Sequence, residues 1–362
     1  MTADSFPLER TSRPLPDDER SAILADPGFG KHFTDHMATA QWTPDAGWHA
    51  RGVGPLEPFT LHPSAAVLHY AQEIFEGLKA YRHADGSVWL FRPEANARRF
   101  ARSARRLTLP ELPEEDFLDS VAALVRADAA WVPAGGGEQS LYLRPFMIAT
   151  EAFLGVRPAH EVRYCVIASP AATYFSSGAG GVTLWISTTY TRAAPGGTGE
   201  AKCGGNYATS LAAQLEAQAH GCDQVLYVDS AEHRWLEESG TMNIAVLTSA
   251  GELVTPPLGT ILEGVTRDSV LALAADHGLT AVQRPISVDE LAAGCADGTI
   301  TEVFAIGTAA VITPITRFLG EGVDITVGDA TAGKTTLALR KHVLDIQYGR
   351  AADPHGWLRR VV

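Results

Sequence analysis

GEAKCGGNYATSLAAQ (residues 199–214) and LEESGTMN (residues 236–243) bracket the stretch from which the rest of the chain can be read. Lys202 stands just before Gly204 and Gly205, and a helix-like run from Tyr207 to Gln218 follows at once. A strand-like DQVLYVD (223–229) and a polar turn then lead to Glu237, Glu238, Ser239, Gly240 and Thr241. The two glycines let the backbone approach a bound group closely, because neither carries a Cβ. A lysine at a tight turn, with carboxylates returning a strand later, points to amine chemistry. A solvated lysine has a pKa near ~10.4, so only about one in a few thousand is neutral at pH 7. Forming a Schiff base requires desolvation, nearby positive charge or a permanent imine. The same spacing suits a surface lysine in a turn, and local pattern alone leaves both readings open.

Outward from that stretch, 362 residues are too many for one small core and suit two domains. Hydrophobic residues make up 46% and charged residues 20%, the balance of a packed globular protein. A net charge of −13, with no broad basic stripe, argues against nucleic acid as a partner, although small anions can still bind locally. No run of about 18 apolar residues occurs, so no membrane span is expected. MTADSFPLERTSRPLPDDER is acidic, broken by proline and without an apolar core; it reads as a flexible arm over residues 1–28 rather than a signal peptide. Cys165, Cys203, Cys222 and Cys295 are scattered without a CxxC pair, and no HExxH occurs. Neither a disulfide framework nor a metal site is implied, and a reducing cytoplasm is the natural compartment.

Residues 29–173 read as a smaller N-terminal domain. Pro93 fits the first turn of a helix through about Arg106, with Ala97, Phe100, Ala101, Ala104 and Leu107 at helical spacing. A second helix spans about Glu114 to Trp131, Asp85-Gly86 marks a hairpin turn, and SLYLRPFMIAT (140–150) and EVRYCVIASPA (161–171) read as strands. YFSSGAGGVT (174–183) is the interdomain loop, cut near residue 178. Residues 184–362 form a larger, β-rich, helix-flanked domain. In it Leu211 and Leu215 recur four apart on a helix, Gly221 stops that helix, Ala250-Gly251 turns a hairpin, and Thr266 caps a further helix. A last helix runs from about Thr335 to Tyr348. The outcome is α+β without regular βαβ alternation.

A reactive lysine needs an electron sink, and pyridoxal phosphate asks for the lysine, a carboxylate on the ring nitrogen and donors for the phosphate. Glu238 can supply the carboxylate and Tyr207 a bond to the ring oxygen. The helix N-terminus at Gly264, Val265 and Thr266 offers N–H groups to the phosphate, with Thr308 and an arginine to complete the cradle. Arg98, Arg99, Arg102, Arg105 and Arg106 share one helix; most suit a solvated face, and spacing does not say which one turns inward. GDATAGKT (328–335) matches the phosphate-loop pattern and would suggest a nucleotide hydrolase. However, only 27 residues follow Thr335, too few for the later strands and the magnesium-binding acid of that fold.

Taken together, TLHPSAAVLHYAQEIFEGLKAYR (60–82), YLRPF (142–146), KCGGNYA (202–208), EESGTMN (237–243), LVTPPL (253–258), ILEGVTR (261–267), EVFAIGTAA (302–310) and IQYG (346–349) resemble a branched-chain amino-acid aminotransferase of the fold-type IV, class IV pyridoxal-phosphate enzymes. The resemblance runs in order from about Phe29 to the C-terminus. It implies that Lys202 holds pyridoxal 5′-phosphate as an aldimine and shuttles the substrate Cα proton. Glu238 would pair with the ring nitrogen and Tyr207 with the ring oxygen. Arg99, Val265, Thr266 and Thr308 would bind the phosphate, with Arg192 in support. Thr241 and Ala309 would hold the substrate carboxylate, with Tyr70 nearby. Phe29, Phe75, Tyr142 and Tyr174 would wall an apolar side-chain pocket, and Arg144 would meet the distal carboxylate of glutamate. The family implies a homodimer with its site at the domain interface.

One departure is visible: where animal relatives carry a CxxC redox pair after the GTA turn, this chain has Val311, Ile312, Thr313 and Pro314, so thiol switching is not expected. The function implied is reversible ping-pong transfer of the amino group between leucine, isoleucine or valine and 2-oxoglutarate, a step common to biosynthesis and degradation. Within the fold the alternatives are a D-amino-acid aminotransferase and aminodeoxychorismate lyase.

Overall fold

In SLYLRPFMIA every second residue is buried, the mark of a strand with one covered face. This strand, Ser140–Ala149, pairs along its whole length with Val162–Ala171. The computed structural model describes residues 5–134, 138–172 and 180–362. Its first unit comprises Met1–Tyr174, Ala201–Gly204 and Asp345–Val362, and its second Phe175–Glu200 and Gly205–Leu344. The segment carrying Lys202 and the chain's last residues thus join the first unit, which reaches beyond the expected 29–173.

Within the first unit, strands Leu358–Arg360, Val88–Phe91, Leu78–Arg82, Ser140–Ala149, Val162–Ala171, His36–Thr43 and Gly47–Pro55 lie side by side in that order, with Glu73–Phe75 added to Ser140–Ala149. All are antiparallel. Helices Pro93–Arg106 and Glu114–Ala127 form where the sequence places them, the second followed by a short 3₁₀ turn at Ala129–Trp131. Their apolar faces meet the sheet through Phe100, Phe117 and Tyr164, whose ring centroids stand 5.5–6.4 Å apart. The Tyr164 hydroxyl meets Ser120 Oγ at 2.9 Å, so the buried phenol keeps a partner. Burial raises its pKa.

The N-terminal segment departs from the flexible arm expected. Phe6 is 2% exposed, and Glu9 N donates to Val53 O while Val53 N donates to Pro7 O. Thr11 N donates to His36 Nε2 and Leu15 N to Asp35 Oδ1. Proline and acidic residues suggested solvation. A single buried phenylalanine and side-chain acceptors on the next strand dock the segment instead, and composition does not record those acceptors.

The second unit carries the mixed sheet Leu236–Ser239, Gln224–Val228, Val182–Ser187, Val311–Gly320, Ile300–Gly307, Met242–Thr248, Glu252–Thr255 and Thr280–Gln283, with Val323–Thr326 beside Val311–Gly320. Its parallel pairs include Val182–Ser187 with Gln224–Val228, and Glu252–Thr255 with Thr280–Gln283. Helices Ser210–Ala219 and Val265–Leu273 lie in those two connections. One expectation is corrected. Thr266 does not cap its helix: Gly264 is the N-cap and the helix begins at Val265. Leu211 and Leu215 are 65% and 67% exposed, and Ser210–Ala219 buries Ala213 and Ala217 against Trp185, Val225 and Tyr227. Small residues let that helix sit close to its strands, so the leucine spacing marks the outer face. No helix among the described residues is long and apolar enough to cross a membrane.

Phe100→Ala should therefore lower stability by about 3–5 kcal/mol, whereas Leu215→Gln should change it by less than about 0.5 kcal/mol. Urea denaturation followed by tryptophan fluorescence checks both, and equal losses would contradict the burial described.

Candidate active site

Three backbone contacts fix Lys202 in the first unit. Phe75 N donates to Lys202 O at 2.9 Å, Lys202 N donates to Ser103 Oγ at 2.9 Å, and Gly204 N donates to the Glu73 carboxylate. A Cβ on Gly204 would meet that carboxylate, so a side chain there would displace the Glu73 contact. The lysine amine lies 4.9 Å from the centre of the Phe75 ring. Part of the side chain stays accessible, yet the protein packed around the amine pushes its pKa down to about 8. Burial is the largest cause and the Arg99 charge the next; Glu76 and Tyr142 pull the other way, and Arg144 adds to the lowering.

Arg99 is 4% exposed and Glu76 fully buried. Arg99 Nε donates to Glu76 Oε1 at 2.7 Å and Nη2 to Oε2 at 2.8 Å, while Asn96 Nδ2 donates to Oε2 at 2.7 Å. Of the helix's arginines, Arg99 is the one turned inward, as the resemblance implies; Arg98 and Arg105 pair on the surface with Glu114 and Glu111. Phe29, Phe75, Tyr142 and Arg144 gather in the same unit. Phe29 and Tyr142 meet edge to face at 5.2 Å, and the Arg144 guanidinium lies 4.8 Å from the Phe75 ring and 5.4 Å from the Tyr142 ring. Arg144 Nη2 donates to Tyr142 Oη at 3.2 Å, while its Nε is buried with no hydrogen-bond partner among the described residues. Gly77 makes room for the Tyr142 hydroxyl, which a Cβ there would strike. Tyr70 has different partners: its hydroxyl donates to Leu154 O, and its ring stands 6.5 Å from Phe153. Tyr174 lies outside the described residues.

Glu238 is the centre of the second unit's polar cluster. It is 2% exposed, with Arg192 Nε 2.7 Å from its Oε2. Its Oε1 accepts from Leu262 N at 2.7 Å and Asn243 Nδ2 at 3.2 Å. Arg192 also donates to Thr260 O and Gly199 O. The neighbouring Glu237 accepts from Thr260 Oγ1 at 2.6 Å instead, and burial raises its pKa. Consecutive strand residues face opposite ways, which separates the two acids physically. Pairing of Asn243 with Ile306 and of Glu238 with Asn243 brings the turns containing Thr241 and Thr308–Ala309 to one end of neighbouring strands. The helix carrying Val265 and Thr266 starts beside that end, because a Cβ on Gly264 would strike Asn243 Oδ1. Tyr207 stands half-buried in the short helix Gly204–Ala208.

Sequence reasoning missed Glu73, Glu76, Asn96, Ser103 and Asn243. Its only signal was a pair of glutamates inside the otherwise apolar EIFEGL. The phosphate-loop match is not a phosphate site. Helix Lys334–Gln347 begins inside it, and its first N–H groups are taken: Thr335 N and Thr336 N donate to Glu302 at 3.1 and 2.7 Å, joined by Thr336 Oγ1 at 2.7 Å. A carboxylate occupies the place where a phosphate would sit and would repel it. No group of three metal-binding side chains occurs among the described residues.

Comparison with known proteins shows the family. The family model "Amino-transferase class IV" matches residues 73–318. The branched-chain-amino-acid aminotransferase of Mycolicibacterium smegmatis is 54% identical over 366 residues, spanning 99% of this chain and 100% of that protein. Among solved structures, the Escherichia coli branched-chain amino acid aminotransferase superposes with a TM-score of 0.75 at 26% identity, over 90% of this chain and all of that one. The T.th. branched-chain amino acid aminotransferase with pyridoxamine 5′-phosphate gives 0.72 at 28% identity, over 90% and 99%.

Glu302→Ala should cost about 1–2 kcal/mol by leaving the N–H groups of its helix without their cap, measured by thermal unfolding. Titration calorimetry of the unaltered protein with Mg-ATP should show no saturable binding at this loop; saturable binding lost in Lys334→Ala would contradict the assignment.

Proposed function

The chain belongs to the class IV aminotransferases, as one of the branched-chain-amino-acid aminotransferases, and on that premise we propose which residues carry amino transfer between leucine, isoleucine or valine and 2-oxoglutarate. One observation carries the proposal: a lysine amine, pushed down to about 8, set against Phe75 beside the buried Arg99–Glu76 pair. At pH 7 such an amine is unprotonated about one time in ten, against about one in a few thousand for a solvated lysine.

The residues present suit pyridoxal 5′-phosphate. Lys202 and Arg99 in the first unit, and Glu238, Tyr207, Arg192, Val265, Thr266 and Thr308 in the second, supply the amine, the ring partners and the phosphate donors the group requires. When bound, the cofactor supplies an electron sink and a carbonyl that exchanges for an amino group. Glu238 is suited to the ring nitrogen because Arg192, Asn243 and Leu262 N orient its carboxylate in advance. Lys202 Nζ would take the proton from the substrate Cα and give it up again within the same half-reaction, the shuttle role that the resemblance implies and one that favours a pKa near working pH. Phe29, Phe75 and Tyr142 exclude water and receive a branched apolar side chain, with Tyr174 assigned to the same pocket, and Tyr70 to the neighbourhood of the substrate carboxylate, by the resemblance alone. Arg144 answers the distal carboxylate of glutamate, the role that the resemblance gives it. Thr241 and Ala309 take the substrate carboxylate.

The reading extends to a homodimer, on the family resemblance, and to the cytoplasm, where free Cys165, Cys203, Cys222 and Cys295 would stay reduced.

Lys202→Ala should reduce leucine:2-oxoglutarate turnover on the order of a thousandfold or more while the fold is kept. Activity within tenfold of the unaltered enzyme would move the chemistry elsewhere. Arg144→Gln should raise KM for 2-oxoglutarate about tenfold to a hundredfold while KM for leucine changes less than about threefold; equal rises would remove Arg144 from side-chain selection. D-alanine and aminodeoxychorismate should not be turned over.

A further inference from the structure

We propose that Glu76 is a positioning residue for the amino transfer: its carboxylate fixes the plane of the Arg99 guanidinium and balances the cationic charge beside Lys202. The proposal rests on the reading of Lys202 as the reacting lysine. Neither the sequence motifs nor the expected cofactor contacts point to Glu76, which would touch neither substrate nor phosphate in that reading.

Glu76 occupies the bend between strands Glu73–Phe75 and Leu78–Arg82, directly after the ring that meets the lysine amine. Its backbone N–H donates to Pro145 O at 2.7 Å, which pins the bend to the strand carrying Tyr142 and Arg144. Its carboxylate, with 0% exposure, meets the Arg99 fork through both oxygens and also accepts from Asn96 Nδ2 at 2.7 Å and Gly77 N at 3.1 Å. Two parallel N–H···O bonds define the guanidinium plane in a way that one point charge cannot. Burial works against ionisation, but the Arg99 charge and hydrogen bonds, with Lys202 and Asn96, hold the Glu76 pKa below its ordinary value. The site therefore holds a fixed anion.

That anion has a consequence for Lys202. Among the described residues, the charged and titratable groups that act most on the amine are Arg99 from helix Pro93–Arg106, Tyr142 and Arg144 from strand Ser140–Ala149, and Glu76 from the bend. Glu73 is close by on Gly204 N. Two guanidinium groups thus act against one carboxylate. With Glu76 neutralised, burial and both arginines would drive the lysine's proton off with the carboxylate that opposes them removed. An amine that loses its proton too readily returns it too reluctantly, and a shuttle must do both. Removing one member of a buried pair also strands the other, so Arg99 would lose its orientation as well as its counter-charge.

The test uses full-length, cofactor-free protein and reads the pH dependence of Lys202 labelling by dinitrofluorobenzene, resolved by peptide mass spectrometry. The unaltered chain should show a midpoint at about 8. Glu76→Gln should lower that midpoint by about one unit or more, and Glu76→Asp should restore most of it. A folded Glu76→Gln protein whose midpoint is unchanged or raised would overturn the proposal. Arg99→Gln supplies the opposite sign and decides the matter where Glu76→Gln does not fold: its midpoint should rise, and an unchanged or lower value would overturn the charge balance. Labelling shifts of the expected sign in a protein that never transfers the leucine amino group would support the Glu76 pairing and overturn only the role given to Lys202.

Discussion

A charge taken out of water has to be met by another, and the polar cluster of each unit is built on one such pairing. In the first unit the pair is Arg99 with Glu76, at 2.7 Å; in the second it is Arg192 with Glu238, also at 2.7 Å. Neither pair is primarily a source of stability, because desolvation consumes most of what the attraction returns. Their effect is orientation. Arg99 is held by a two-point fork beside the lysine, and Glu238 is held by one guanidinium and two further donors, so both polar groups are in place before any ligand arrives. Preorganised charge of this kind is what electrostatic catalysis requires.

The backbone is constrained to serve those pairs. Residues 201–204 belong to the first unit, although the sequence around them belongs to the second. Their carbonyl and N–H groups are used by Phe75, Ser103 and Glu73. Three glycines make close approaches that a side chain would prevent: Gly204 to Glu73, Gly77 to Tyr142 and Gly264 to Asn243. Gly77 follows Glu76 and Gly264 precedes Val265, which links close approach at the backbone to residues with a proposed role.

Much of this was legible in the sequence. Helix Pro93–Arg106 begins at its proline, and the hairpins at Gly86 and Gly251 turn with positive φ as their dipeptides implied. The choice of Arg99 among five arginines needed the family motifs, since helical spacing put Arg99, Arg102 and Arg106 on nearly one side. Leu211 and Leu215 left the inner face undecided, because leucines at i and i+4 report an apolar stripe without saying which face is inside; here the alanines opposite them lie against the sheet. The Lys334 motif, which the short length of chain after it already argued against, is a decoy because a pattern of glycines and a lysine does not show what fills the helix N-terminus, and Glu302 lies more than thirty residues away in sequence. Glu76 left no more than its place in an otherwise apolar EIFEGL, for a related reason. Its partners Arg99 and Asn96 come from a different element, and a buried ion pair between elements leaves no periodic trace.

The central claim is that Lys202 is the residue through which this enzyme holds its cofactor. The most direct measurement is borohydride treatment of the cofactor-loaded protein, followed by proteolysis and mass mapping. A single phosphopyridoxyl mass on the peptide containing Lys202 and Cys203 is the predicted result. The same mass on any other lysine, or no covalent mass in a protein that still transfers amino groups from leucine, would contradict the account.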